Sequence, residues 1–211
     1  MISTATETDT RSAILDAATE LFALQGLEAT SIKAIGQQAG VNSALIYYYF
    51  ADKAALYDAV LGRMATAFPE RLSEAVLSAD SPAAGLAAVI HAQAEAFLAE
   101  PRLPRLIARE LADHAAARGK PVFREHLLRL LGGITGLIRA GQQAGEFRDD
   151  LEPEFLAVSV LSQMNWFVIA GPVIEMILER DGATSDPVAV RRFADHVVRF
   201  SLAALEPPRE A

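Results

Sequence analysis

Apolar residues recur along this chain at the three-to-four spacing of helices, with no sustained two-residue alternation. Ile14, Ala18, Leu21 and Phe22 share one helical face, with Thr10 before them as a cap and Gly26 after them as a stop. Ser31 is placed to cap a short second helix that turns Ile32, Ile35 and Ala39 inward and ends at Gly40. Asn42 then starts a third short helix, to about Tyr49. A fourth begins near Asp52 and carries Leu56, Tyr57, Val60, Leu61, Met64 and Phe68, until Pro69 bends or ends it. Further helices start at Ser81-Pro82, after the break at Pro101 to Pro104, and at about Phe123 beyond Gly119-Lys120-Pro121. Glu152-Pro153 and Asp186-Pro187 start the last two, the final one reaching about Leu205. The pattern predicts an all-α fold: a head of three short helices containing a helix-turn-helix, then a larger helical body.

One segment tests for a membrane. Phe155 to Ile174 has no formal charge and is long enough to span a bilayer. It also holds Ser159, Ser162, Gln163, Asn165, Gly171 and Pro172, and its flanks (Glu152, Glu154, Glu175) are acidic rather than basic. A helix buried on several sides of a globular protein fits better, with a bend from Pro172 after Ala170. The N-terminus has no apolar run of the kind a signal peptide needs. The expected location is therefore cytoplasmic, with no membrane partner.

Composition narrows the function. The chain is rich in alanine, and its 211 residues include no cysteine, so a disulfide scaffold, a thiol nucleophile and a cysteine zinc site are excluded. The net charge of −8 argues against a sequence-independent polyanion binder. No basic head hides within that total, since residues 1–53 hold Arg11, Lys33 and Lys53 against Glu7, Asp9, Asp16, Glu20, Glu28 and Asp52.

Between Ser31 and Phe50, two short helices meet at Ala39-Gly40-Val41, where Gly40 supplies left-handed backbone and Val41 an apolar plug. Capped at Asn42, the third helix presents its N-terminal end outward, the geometry that suits a major groove. Residues 10–56 include Thr-Arg-Ser-Ala-Ile-Leu-Asp-Ala-Ala-Thr-Glu-Leu-Phe, Gly26, Ala29-Thr30-Ser31-Ile32, Ala39-Gly40-Val41-Asn42 and Ile46-Tyr47-Tyr48-Tyr49-Phe50-Ala51-Asp52-Lys53. In unbroken order they resemble the N-terminal domain of TetR-family transcriptional repressors. The body resembles that family in layout and in pieces such as Gly141-Gln142-Gln143-Ala144-Gly145-Glu146-Phe147-Arg148.

The resemblance implies a DNA-binding domain over 8–54 and a ligand-binding and dimerisation domain over 55–206. It implies a homodimer on a pseudo-palindromic double-stranded operator, released by a small-molecule effector. It places Tyr47 and Lys53 on phosphates, Ser31 near another, and Lys33, Asn42, Ser43, Ala44 and Tyr48 where base or backbone contacts occur. Aromatics at helical spacing also fit a core, which leaves Tyr47 and Tyr49 open to that reading. Leu45, Tyr49, Ala44, Gly36 and Ala54 replace the family's usual Thr, His, Gly, Ala and Glu. Leu45 gives up a hydroxyl, but can meet a thymine methyl.

In the body, polar residues interrupt apolar stripes. Glu110 and His114 fall within the stripe of Leu103, Leu106, Ile107 and Leu111, with Arg102, Arg105 and Arg109 opposite. Gln93 is central to Leu86, Val89, Ile90 and Phe97. Either these groups pair, with Glu110 and His114 as an intra-helix pair and Gln93 on a backbone group, or they line an effector cavity. The candidate effector residues are Gln93, Phe97, Ile107, Glu110, His114, Gln163 and Trp166. Gly132, Gly133 and Gly136 point to close helix approach or to room for a ligand. Phe155, Val158, Phe193, Val197 and Phe200 are the expected dimer interface, with Trp166 divided between interface and pocket.

One His and one Glu make only half a metal site, and His91 and His126 lack ligand spacing, so neither a metal nor a cofactor is expected. An enzyme with Glu110 and His114 as acid and base has no nucleophile motif, phosphate loop or metal triad behind it. The expected function is ligand-responsive transcriptional repression without enzymatic activity. A helical scaffold or adaptor with a vestigial head is the alternative.

Overall fold

A computed structural model describes residues 4–64, 79–114 and 120–207, and every regular element among them is helical. In chain order these are α1 (Thr4–Ala29), α2 (Ile32–Ala39), α3 (Ser43–Tyr49), α4 (residues 53–64) and α5 (Pro82–Ala99). Then come α6 (Arg102–His114), α7 (Lys120–Gln143), α8 (Pro153–Ile169), α9 (Gly171–Leu178) and α10 (Pro187–Leu205). The chain forms two compact units: Met1–Ala65 with Arg102–Arg124, and Thr66–Pro101 with Glu125–Ala211. The expected end of α4 at Pro69, and the break at Gly119, lie outside the described residues.

The first unit closes over Ile14, Ala18, Phe22, Ile35, Ile46, Leu56, Val60 and Leu61, all fully buried. Thr10 does not cap α1, because the helix already begins at Thr4. No breaker separates the two positions. Gly26 interrupts α1 with φ 80° and ψ 173°, so the chain turns there without leaving the helical segment for good. The helix α6 lies on α1, where Arg109 Nη2 donates to the Leu24 carbonyl at 3.0 Å.

In the second unit α5 packs against α8 and α10 around Leu86, Val89, Ile134, Ile138, Phe147, Ala157 and Leu205. The segment after α7 explains the Gly141–Arg148 motif. The Phe147 ring folds back so closely that a Cβ on Gly141 would lie 2.2 Å from Cδ2 of that ring. The Phe147 amide donates to the Gly141 carbonyl at 3.1 Å, and Arg148 N reaches the Leu205 carbonyl at 2.9 Å. At Gly132 and Gly136 an added Cβ would meet nothing within 4 Å, so neither glycine serves close helix approach to the described residues.

The uncharged segment does not form one helix. It breaks at Ala170, and α8 and α9 diverge by 81°, as Pro172 leads one to expect. Its burial is one-sided: Ala157, Val160, Leu161, Met164 and Phe167 face inward, whereas Phe155, Val158 and Trp166 are exposed. Among the described residues no single helix is long and apolar enough to cross a membrane.

Candidate nucleic-acid interface and effector region

The helix-turn-helix is held by local hydrogen bonds. Ser31 Oγ accepts from Ala34 N at 3.1 Å and caps α2; Asn42 Oδ1 accepts from Leu45 N at 2.8 Å and caps α3. Between them Gly40 adopts φ 69°, a conformation costly for any side chain but glycine's. Gly36 lies so near the turn that a Cβ there would sit 2.8 Å from the Val41 carbonyl oxygen. This explains a glycine where the resemblance leads one to expect alanine.

That scaffold fixes which side chains of α3 face out. Ile46 is fully buried and anchors the helix, and Phe50 closes the core behind it under the Arg11 guanidinium. Ala44, Tyr47 and Tyr48 are exposed, with Tyr47 at 54% and Tyr48 at 73%. Tyr47 is thus not a core aromatic, whereas Tyr49 is partly covered and packs edge-on against Tyr48. Ser31, Lys33 and Asn42 are exposed, and Ser43 and Leu45 half-buried.

Lys53, which the resemblance places on a phosphate, is engaged within the head. Its ammonium donates to the carbonyls of Leu27, Glu28 and Thr30 at 2.8, 3.2 and 3.1 Å. Three donors meet three acceptors, so the group is saturated where α1 ends, and it complements the negative end of that helix. Thr30 Oγ1 adds a bond to the Gly26 carbonyl at 2.7 Å. Sequence reasoning missed this clamp, because its partners lie more than twenty residues away and are backbone atoms.

The effector candidates are divided between the units. In the first, Glu110 is buried and accepts a 2.9 Å hydrogen bond from the Tyr57 hydroxyl, while Ile107 beside it is half-buried. Tyr57 itself stacks edge-on against Phe22. The partner seen for Glu110 is thus an aromatic residue on α4, and the His114 side chain lies outside the described residues. In the second unit Gln93 is 1% exposed, and its Nε2 donates to the Leu161 carbonyl at 3.2 Å and to Asn165 Oδ1 at 3.1 Å. Its Oε1 is buried without a hydrogen-bond partner among the described residues. Phe97 is buried, Gln163 bonds Ser201 Oγ at 3.2 Å, and Trp166 is largely exposed.

The interface candidates also separate. Phe155, Val158 and Phe200 are exposed, and Phe193 is half-buried against Phe167. Val197 is fully buried in its own unit, and so is withdrawn from any direct contact with a partner. Among the described residues no group of three or more His, Asp or Glu is placed to hold a metal ion.

An exposed recognition-type helix on a three-helix head, followed by a helical body, defines a helix-turn-helix regulator. The chain belongs to the tetR family of bacterial regulatory proteins: that family's model matches residues 14–60, and the tetracyclin repressor-like C-terminal domain model matches residues 82–200. It is accordingly a TetR-type DNA-binding transcriptional regulator. It is 29% identical over 143 residues to the transcriptional repressor NicS of Pseudomonas putida, covering 67% of this chain and 68% of that protein. It is 28% identical over 160 residues to the repressor KstR2 of Rhodococcus jostii, covering 75% and 78% respectively. In fold it is similar to FadR of Bacillus subtilis in complex with stearoyl-CoA, with a TM-score of 0.72, 20% identity, and coverage of 92% of this chain and 99% of that one.

Proposed function

We propose that the protein is a homodimeric, cytoplasmic repressor that leaves a pseudo-palindromic operator when a small, largely apolar effector binds its body. The observation that carries this reading is the outward set Ala44, Tyr47 and Tyr48 on a helix anchored by Ile46. Together with Ser31, Lys33, Asn42 and Ser43, these groups supply hydroxyl, amide and aromatic contacts with little charge. Lys53 contributes by holding the α1–α2 joint.

Support for the dimer comes from the exposed apolar residues Phe155, Val158 and Trp166 on α8 and Phe200 on α10, which water covers poorly. Support for an effector site comes from the apolar body with its few placed polar groups, above all Gln93 with its unpartnered oxygen. The FadR neighbour with its stearoyl-CoA is in keeping with an apolar effector. Two heads on one dimer read half-sites about 34–36 Å apart. An effector that prefers a state with another spacing lowers operator affinity by its differential affinity. The test is selection from a random double-stranded DNA pool by the purified full chain. An enriched inverted repeat is expected, and a pool without enrichment would overturn the reading.

A further inference from the structure

Gln93 stands on the inward face of α5 with Leu86, Val89, Ile90 and Phe97, and is 1% exposed. Its amide has a fixed direction. The Leu161 carbonyl can only accept, so the nitrogen must face it, at 3.2 Å, and that nitrogen also donates to Asn165 Oδ1 at 3.1 Å. Turning the amide over would set its oxygen against the Leu161 oxygen. Oε1 is therefore held on the other side, buried and without a hydrogen-bond partner among the described residues. A carbonyl oxygen taken out of water and given no donor is costly, so a folded chain that keeps one has a use for it.

The two helices around this atom decide what it can take. Neither α5 nor α8 contains a lysine or arginine. The ionisable side chains of α5, His91 and Glu95, are exposed and engaged by Asp195 at 2.9 Å and Arg191 at 2.6 Å. Glu154, at the start of α8, is paired with Arg139. An anion at Oε1 would bring one acceptor to another, with no counter-charge from either helix; a ketone or an ether likewise only accepts. A cation would lose its hydration for a single neutral oxygen among apolar side chains. What fits is a neutral donor. We infer that the effector is an uncharged, largely apolar molecule carrying a hydroxyl or amide N–H, which donates to Gln93 Oε1. Its hydrocarbon part lies against the apolar residues of α5 and α8. This inference rests on the reading of the body as an effector site, and it fixes the one polar contact that such a ligand must make.

The test is calorimetric titration of the full chain with naphthol, decanol and cyclododecanol, each compared with its own methyl ether, which keeps the skeleton but has no donor. At least one alcohol is expected to bind about tenfold or more tightly than its ether, and to release a selected operator in a gel-shift assay. Gln93→Met keeps the length of the side chain and removes the acceptor, so the preference for the alcohol should vanish. A general loss of packing would weaken alcohol and ether alike and leave their ratio unchanged. Equal affinities in wild type overturn the inference, as does binding of none of the alcohols or a preference that persists in Gln93→Met. If that variant fails to fold, the wild-type comparison decides alone. Alcohol and ether that bind equally and both release the operator overturn this inference and uphold the effector reading. An alcohol that is preferred but leaves the operator bound upholds the hydrogen bond to Gln93 and overturns the effector reading.

Discussion

The hydroxyl of Tyr57 on α4 meets Glu110 Oε2 on α6 at 2.9 Å, with both side chains buried within the unit that carries the recognition helix. Tyr57 also supports the core through its edge contact with Phe22. Tyr57→Phe keeps the ring but takes a donor from a buried carboxylate, at a cost of about 1–3 kcal/mol. Urea unfolding should show a lower midpoint with an unchanged slope. Glu110→Gln, which retains an acceptor, should cost less. A tyrosine variant as stable as wild type would show that the hydrogen bond contributes nothing.

Tyr47 and Lys53 should separate binding from stability. Tyr47→Phe removes an exposed hydroxyl, so thermal unfolding should be unchanged while gel-shift affinity for a selected operator falls. Lys53→Met leaves the carbonyls of Leu27, Glu28 and Thr30 without their shared donor. It should lower stability by about 1–3 kcal/mol, with the loss of DNA binding following from it. A Lys53→Met protein of normal stability that fails to bind would assign the ammonium to a phosphate after all.

Operator binding should depend weakly on salt. Only Arg11, Lys33 and Lys53 are basic within the first 53 residues, and the Lys53 ammonium is already saturated. With at most two neutralised phosphates per subunit, the slope of log K against log salt should be roughly −4 or shallower for a dimer. A slope near −10 would require basic contacts from elsewhere in the chain.

Gly141 is a packing requirement. Gly141→Ala drives a methyl group into the Phe147 ring, whose Cδ2 lies 2.2 Å from that position, and should cost about 1–3 kcal/mol. Adding Phe147→Leu should recover part of the loss, since the smaller side chain relieves the overlap. A double variant no more stable than the sum of the single losses would argue against steric conflict.

The Arg191–Glu95 pair between α10 and α5 adds a small acid-sensitive term. The hydrogen bond from Arg191 holds the Glu95 carboxyl below its ordinary range. A depressed folded-state value stabilises above the unfolded one, near 4.5, and the contribution fades as pH falls through the folded value. Solvent screening keeps the contribution of so exposed a pair small. Glu95→Gln should therefore lower stability slightly at pH 7, and the difference should shrink as pH falls below 4.5, as measured by urea unfolding across that range.

The sequence by itself determined the helical architecture, the helix-turn-helix and most helix starts. Caps and turns act over three or four residues, so Ser31, Gly40, Asn42, Ser81 and Asp186 carry their structural roles in their immediate neighbours. The first helix is the exception, since Thr10 has a capping side chain but no breaker before it. Helical periodicity also placed Gln93 and Glu110 inward, because burial follows from position on a helical face. Only the tertiary structure decided their partners. The Tyr57 hydroxyl, the Leu161 carbonyl and the three carbonyls around Lys53 come from distant parts of the chain, and a backbone acceptor has no side chain to mark it in the sequence. The same holds for Val197 and Phe200: both are apolar residues of one amphipathic helix, and only the packing around α10 buries the first and leaves the second exposed.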